Sequence, residues 1–152
     1  MNRRNLMLTL LAATPMVPAW AHNGVDHGAH HGGVVATSKD LHFEVVTPVA
    51  GGVQLYFVDK MGEPLPASAV SQVAVEIEYS GGKTDSVDMA IDPTGVFWVG
   101  KSAPLTDPKA VLRVGYSFHG APATVEAPGA ALIAAAKKGP PKKATKVADK
   151  HN

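Results

Sequence analysis

The chain has 152 residues, with 14 Lys and Arg against 13 Asp and Glu, a formal net charge of +1 and no cysteine. Disulfides, thiolate metal sites and cysteine nucleophiles are excluded, so any metal must rely on His, carboxylate, Met, backbone or a terminal amine. Residues 33–127 carry six basic and eleven acidic side chains, a net −5, which argues against nucleic acid as a partner.

The first segment reads as an export signal. Asn2-Arg3-Arg4 is a positive start, Leu6 to Ala13 is apolar, and Pro15 and Pro18 precede a small-residue cleavage pattern, Ala19-Trp20-Ala21. The apolar run is too short to span a bilayer. Residues 1–21 are therefore expected to be a cleaved signal peptide, leaving a periplasmic protein with no transmembrane segment. Arg3-Arg4-Asn5-Leu6-Met7 loosely resembles a twin-arginine signal, although general secretion fits the residues better.

Cleavage after Ala21 would make His22 the first mature residue. His22, His27, His30 and His31 are four of the chain's seven histidines, and they fall among glycines in residues 22–33. That composition predicts a flexible metal-binding segment. Residues 34–128 then hold most of the β-branched and aromatic side chains. Leu41 to Val45 alternates apolar and polar residues, with His42 and Glu44 on the outward face. Gly51-Gly52 turns the chain into Val53 to Val58. Val73 to Tyr79 alternates again, and Gly81-Gly82 marks a hairpin into Thr84 to Met89. Asp92 to Gly95 is a turn before Val96 to Val99. Val111 to Phe118 is a further strand, which His119-Gly120 turns into Ala123 to Glu126.

These elements predict an all-β fold, a small Ig-like β-sandwich of about seven strands. The expected core is Leu41, Phe43, Val45, Leu55, Phe57, Val73, Val75, Ile77, Phe97, Leu112, Val114 and Tyr116. The chain has no helix suited to a βαβ crossover, no GxGxxG and no P-loop, which excludes the nucleotide-binding folds built on them. Composition assigns residues 129–152 to an Ala- and Lys-rich disordered tail. Within it, Ala130 to Ala136 can form two helical turns before Gly139-Pro140-Pro141.

The histidine cluster carries the chemistry. A mature N-terminal His22 would offer its α-amine and ring Nδ1 as a chelate. An imidazole from His27, His30 or His31 would complete a three-nitrogen set suited to Cu(II), a histidine brace. Without that terminus the cluster still binds, and the Irving–Williams order favours copper over zinc, nickel or cobalt. His42 can add a ligand from the folded domain. The expected metal ligands are thus His22, His27, His30, His31 and His42. His119, at a turn, and His151, in the tail, are weaker candidates.

His31-Gly32-Gly33-Val34-Val35, then Leu41 to Val46, then Val53 to Val58 with Asp59-Lys60-Met61-Gly62-Glu63-Pro64-Leu65, resembles a known pattern. It is similar to the His-containing β-domain near the N-terminus of periplasmic adaptor subunits of heavy-metal efflux pumps, and to small stand-alone exported relatives. The resemblance spans roughly residues 31–100 and implies periplasmic handling of copper, or of zinc, cobalt or nickel, with His31 and His42 at the matched positions and Glu44 beside them. The chain lacks the helical hairpin and lipoyl-like halves of a full adaptor. His22 alone also resembles the N-terminal ligand of small periplasmic copper carriers.

The sequence is thus read as a non-enzymatic metal-binding protein, a carrier, buffer or accessory to a metal efflux system. One alternative is an oxidative copper enzyme built on a histidine brace. Another is a β-sandwich assembly module whose His-rich segment is only a linker.

Overall fold

A computed structural model describes residues 28–39 and 41–142. The expected signal peptide, His22, His27 and residues 143–152 lie outside the described residues. Among the described residues, nine strands form two antiparallel sheets stacked as a sandwich. The first has the order β1-β2-β3-β7-β6 and the second β5-β4-β8-β9. The strands are β1 (Val34–Thr37), β2 (Leu41–Val46), β3 (Val53–Asp59), β4 (Val70–Glu78), β5 (Thr84–Val87), β6 (Met89–Ile91), β7 (Trp98–Gly100), β8 (Val111–Phe118) and β9 (Ala121–Pro128). A helix, α1 (Gly129–Lys138), follows.

The strands lie where period-two alternation places them. Phe43 pairs with Phe57 across β2 and β3, and Val114 pairs with Val75 across β8 and β4. Phe43, Phe57 and Tyr116 meet between the sheets, with Phe43 5.2 Å from Phe57 and 5.5 Å from Tyr116. Such aromatic contacts add to the burial that drives the two sheets together. His119 and Gly120 both adopt positive φ, 50° and 77°, which gives the two-residue turn that suits the twist of a β-hairpin.

The described residues form nine strands where the sequence predicts about seven, for two reasons. Residues 34–37 form an additional edge strand against β2. Residues 84–91 are two strands in different sheets, because the chain passes between the sheets around Asp88. Two expected core residues are half-buried. Val73 sits beside a bulge between Ser71 and Ala74, where Gln72 has φ 52° and the alternation of β4 is interrupted. Phe97 lies just before β7, on the outer face of the first sheet. Its neighbour Trp98 packs on the core instead, with its indole N–H donating to Ala67 O at 2.9 Å.

The fold also extends past residue 128. The stretch that composition assigns to a disordered tail begins with α1, and Leu132 is 1% exposed within the core. Gly139, at φ 68°, ends the helix. Among the described residues, no helix is long and apolar enough to cross a membrane.

Candidate metal site

The outer face of the first sheet carries a polar and aromatic row. In β2, His42 and Glu44 point away from the sandwich core, as alternation requires. The β2–β3 register sets Glu44 opposite Tyr56 and His42 opposite Val58, and the β1–β2 register sets Thr37 opposite His42. Residues 28–33 fold over this face as a strap. For that reason Glu44, an outward strand residue, is only 6% exposed.

Glu44 holds the strap down. One carboxylate oxygen accepts the N–H of Gly33 at 2.7 Å and that of His31 at 2.9 Å. The other accepts the N–H groups of His30 at 2.9 Å and His31 at 3.0 Å, and lies 2.8 Å from Nδ1 of the His31 ring. Successive N–H groups pointing at one anion form a nest, a concavity made by backbone that alternates its handedness. Gly32 supplies the change of hand with φ +83°. At Gly33 a Cβ would stand 2.3 Å from the carbonyl oxygen of Val45, so the strap approaches β2 closely only because this residue has no side chain.

The electrostatics follow from these bonds. Burial pushes the Glu44 carboxyl upward, but the hydrogen bonds from Gly33 N–H, the His31 ring and the His31 and His30 N–H groups outweigh it and hold the pKa below the ordinary value. The carboxylate is therefore an anion at neutral pH and can only accept. It follows that Nδ1 of His31 carries a hydrogen that it donates to the carboxylate; in the neutral ring Nε2 is then the nitrogen with the lone pair.

Aromatic stacking fixes the plane of the same ring. His31 lies on Tyr56 with ring centres 3.6 Å apart and planes 5° from parallel. Tyr56 in turn stacks on Phe97 at 4.8 Å, and its hydroxyl donates to Gln54 Oε1 at 3.2 Å. Burial, with the negative charges of Glu44 and Asp92, raises the Tyr56 pKa, so the phenol stays neutral. His42 lies on the other side of the row, with Nδ1 3.0 Å from the Thr37 hydroxyl.

The structure brings three of the five expected ligands together. His30, His31 and His42 line one cavity of about 40 Å³ with Glu44, Tyr56 and Val58, which is room for a water molecule or a small ion. Even so, among the described residues no group of three or more His, Cys, Asp or Glu side chains could hold a metal ion. Glu44 is unsuited to direct ligation, because its two oxygens already accept five contacts. Imidazole nitrogen is the donor chemistry the cavity offers, suited to copper, zinc, nickel or cobalt rather than to calcium or magnesium. His119 sits apart at the β8–β9 turn, its ring 4.1 Å from that of Phe118.

Tyr56 and Thr37 were not among the expected site residues. A signal was present for Tyr56. Once Gly51-Gly52 is taken as a hairpin turn, alternation puts Gln54, Tyr56 and Val58 on the face of His42 and Glu44. Thr37 belongs to an edge strand too short to show a period. No protein-family model, curated protein or solved structure matches this chain.

Proposed function

We propose that this protein is a non-enzymatic, exported metal-binding protein of the periplasm. It would carry or buffer a first-row transition metal as an accessory to metal efflux, with copper first and zinc, nickel or cobalt as alternatives. The observation that carries the reading is the shared cavity of His30, His31 and His42, with the His31 ring oriented by a buried carboxylate. Ligating histidines characteristically give their second ring nitrogen to such a group. His22 and His27, from the same His- and Gly-rich segment, would complete the coordination. If the peptidase cuts after Ala21, the terminal amine would join them.

A second reading has its own support. The five contacts to Glu44 anchor the strap without any ion, as expected of a sandwich module whose N-terminal segment is only fastened to the sheet. Calorimetric titration of the exported chain with Cu(II) and Zn(II) separates the two. The metal-binding reading expects a defined site whose affinity falls when His30, His31 and His42 are replaced by Gln. Unchanged heats in that triple variant, with an unchanged circular dichroism spectrum, would leave the strap as a fastening alone.

A further inference from the structure

The second sheet carries a depression on its outer face. Val75 and Val114 point into the core, so Ala74, Glu76, Arg113 and Gly115 point outward. Glu76 lies opposite Arg113 and Arg113 opposite Glu126, which makes a charged row across three strands. In the next row Ala74 lies opposite Gly115. A methyl group and a hydrogen leave that row low, and a cavity of about 450 Å³ results, walled by Glu76, Arg113, Asp88 and Met89. Gly115 does not adopt a positive φ, and a Cβ there would meet nothing closer than 3.9 Å. The absence of its side chain keeps the depression open.

The depression lies beside a free stretch of sheet edge. β5 pairs with β4 only over residues 75–78, and the chain then passes to the first sheet as β6. Residues 71–74 of β4 therefore have β8 on one side and no strand of their own sheet on the other. A bulge between Ser71 and Ala74, with Gln72 at φ 52°, bends this edge and limits any added ladder to a few bonds. The charge around it is negative. Arg113 is already matched by Glu78 at 2.6 Å and Glu126 at 2.7 Å, with Glu76 further off at 3.5 Å. Asp88 joins no ion pair among the described residues. No group of His, Cys, Asp or Glu among those residues could hold a metal ion, so the cation that fits is an organic one.

We propose that this depression docks an extended segment of a partner protein that carries a lysine or arginine. The segment adds a short strand at residues 71–74, and its cationic side chain lies over Ala74 and Gly115 toward Glu76 and Asp88. Strand addition supplies the orientation, and the charge supplies the choice of partner. The face belongs to the second sheet and does not draw on the histidine cavity of the first.

The test uses the whole exported chain and a capped pentapeptide of alternating threonine and valine with lysine at its centre. Amide NMR titration should show shifts centred on residues 71–74, Asp88 and Gly115, with binding that weakens as salt is raised. The same peptide with norleucine for lysine should bind about tenfold more weakly, as should the lysine peptide to the double variant Glu76→Gln, Asp88→Asn. Both side chains are exposed and Arg113 keeps Glu78 and Glu126, so that variant retains the fold. Gly115→Val fills the depression without touching a charge and should remove the shifts. Equal binding of the two peptides, or binding unchanged in Gly115→Val or in the double variant, would overturn the proposal. So would an absence of shifts, or shifts centred on another surface. Shifts of the same amides when the protein is concentrated without peptide would give the face to a second copy of this chain instead.

Discussion

Asp92 supports the histidine site from a distance. Its carboxylate sits in the turn before β7, where one oxygen accepts the N–H groups of Val96 and Phe97 at 2.9 and 3.0 Å. The other accepts the N–H of Thr94 at 2.8 Å and the Thr94 hydroxyl. Burial raises this carboxyl, but the Thr94 hydroxyl and the N–H groups of Phe97, Thr94 and Val96 prevail and hold it at about 2, against an ordinary 3.8. The turn fixes Phe97, Phe97 stacks on Tyr56, and Tyr56 carries His31. A depressed carboxylate pKa contributes stability that is complete above the unfolded value and is lost as pH falls through the folded one. Thermal melts of the wild type and Asp92→Asn should therefore differ most above pH 3.8, and the gap should close toward pH 2. A constant gap across that range would show that Asp92 acts by shape rather than by charge.

Among the elements, α1 and the strap meet at one seam. The helix packs against β1, β2 and β9, and a Cβ at Gly32 would stand 2.6 Å from the carbonyl carbon of Gly139, just past the helix end. Leu132 is the anchor, 1% exposed and part of the main core. Replacing it with Ala removes buried methyl groups and leaves a cavity, at a cost of about 2–4 kcal/mol. Urea unfolding followed by Trp98 fluorescence would measure this loss. A cost near zero would mean that the helix is not part of the cooperative unit. The propensity of an Ala-rich segment predicts a helix but not its docking, which depends on one leucine reaching a gap between sheet edges distant in sequence.

Across the whole molecule, stability is expected to be uneven. The β2–β3 and β4–β8 pairs bury Phe43, Leu55, Val75 and Leu112, all at 3% exposure or less. The strap adds hydrogen bonds but little apolar area, since Gly28, Ala29, Gly32 and Gly33 have almost nothing to bury. Regions of that kind open locally below the free energy of global unfolding. Hydrogen exchange should therefore find the amides of His30, His31 and Gly33 protected, yet exchanging well before those of Phe43 and Leu55. Zn(II) should slow the strap amides selectively if the ion binds there. Equal protection of strap and core would make the strap an integral layer of the fold.

Much of this architecture is legible in the chain itself. Alternation in Leu41–Val46, Val53–Asp59 and Val111–Phe118 specifies which side chains face inward, because a strand has a period of two and a wet side and a dry side must differ. Gly51-Gly52, Gly81-Gly82 and His119-Gly120 mark hairpins because the turns need positive φ. Composition alone singles out the His-rich segment and excludes thiolate chemistry. Other features depend on contacts between residues far apart in sequence. Alternation places Glu44 in solvent, but the strap buries it. Phe97 faces outward and Trp98 inward because the β3–β7 register sets Trp98 opposite the buried Leu55. The gathering of His30, His31 and His42 around one cavity was decided only by tertiary structure, because a glycine-rich segment has no preferred path until a carboxylate and an aromatic ring on the neighbouring strands supply one.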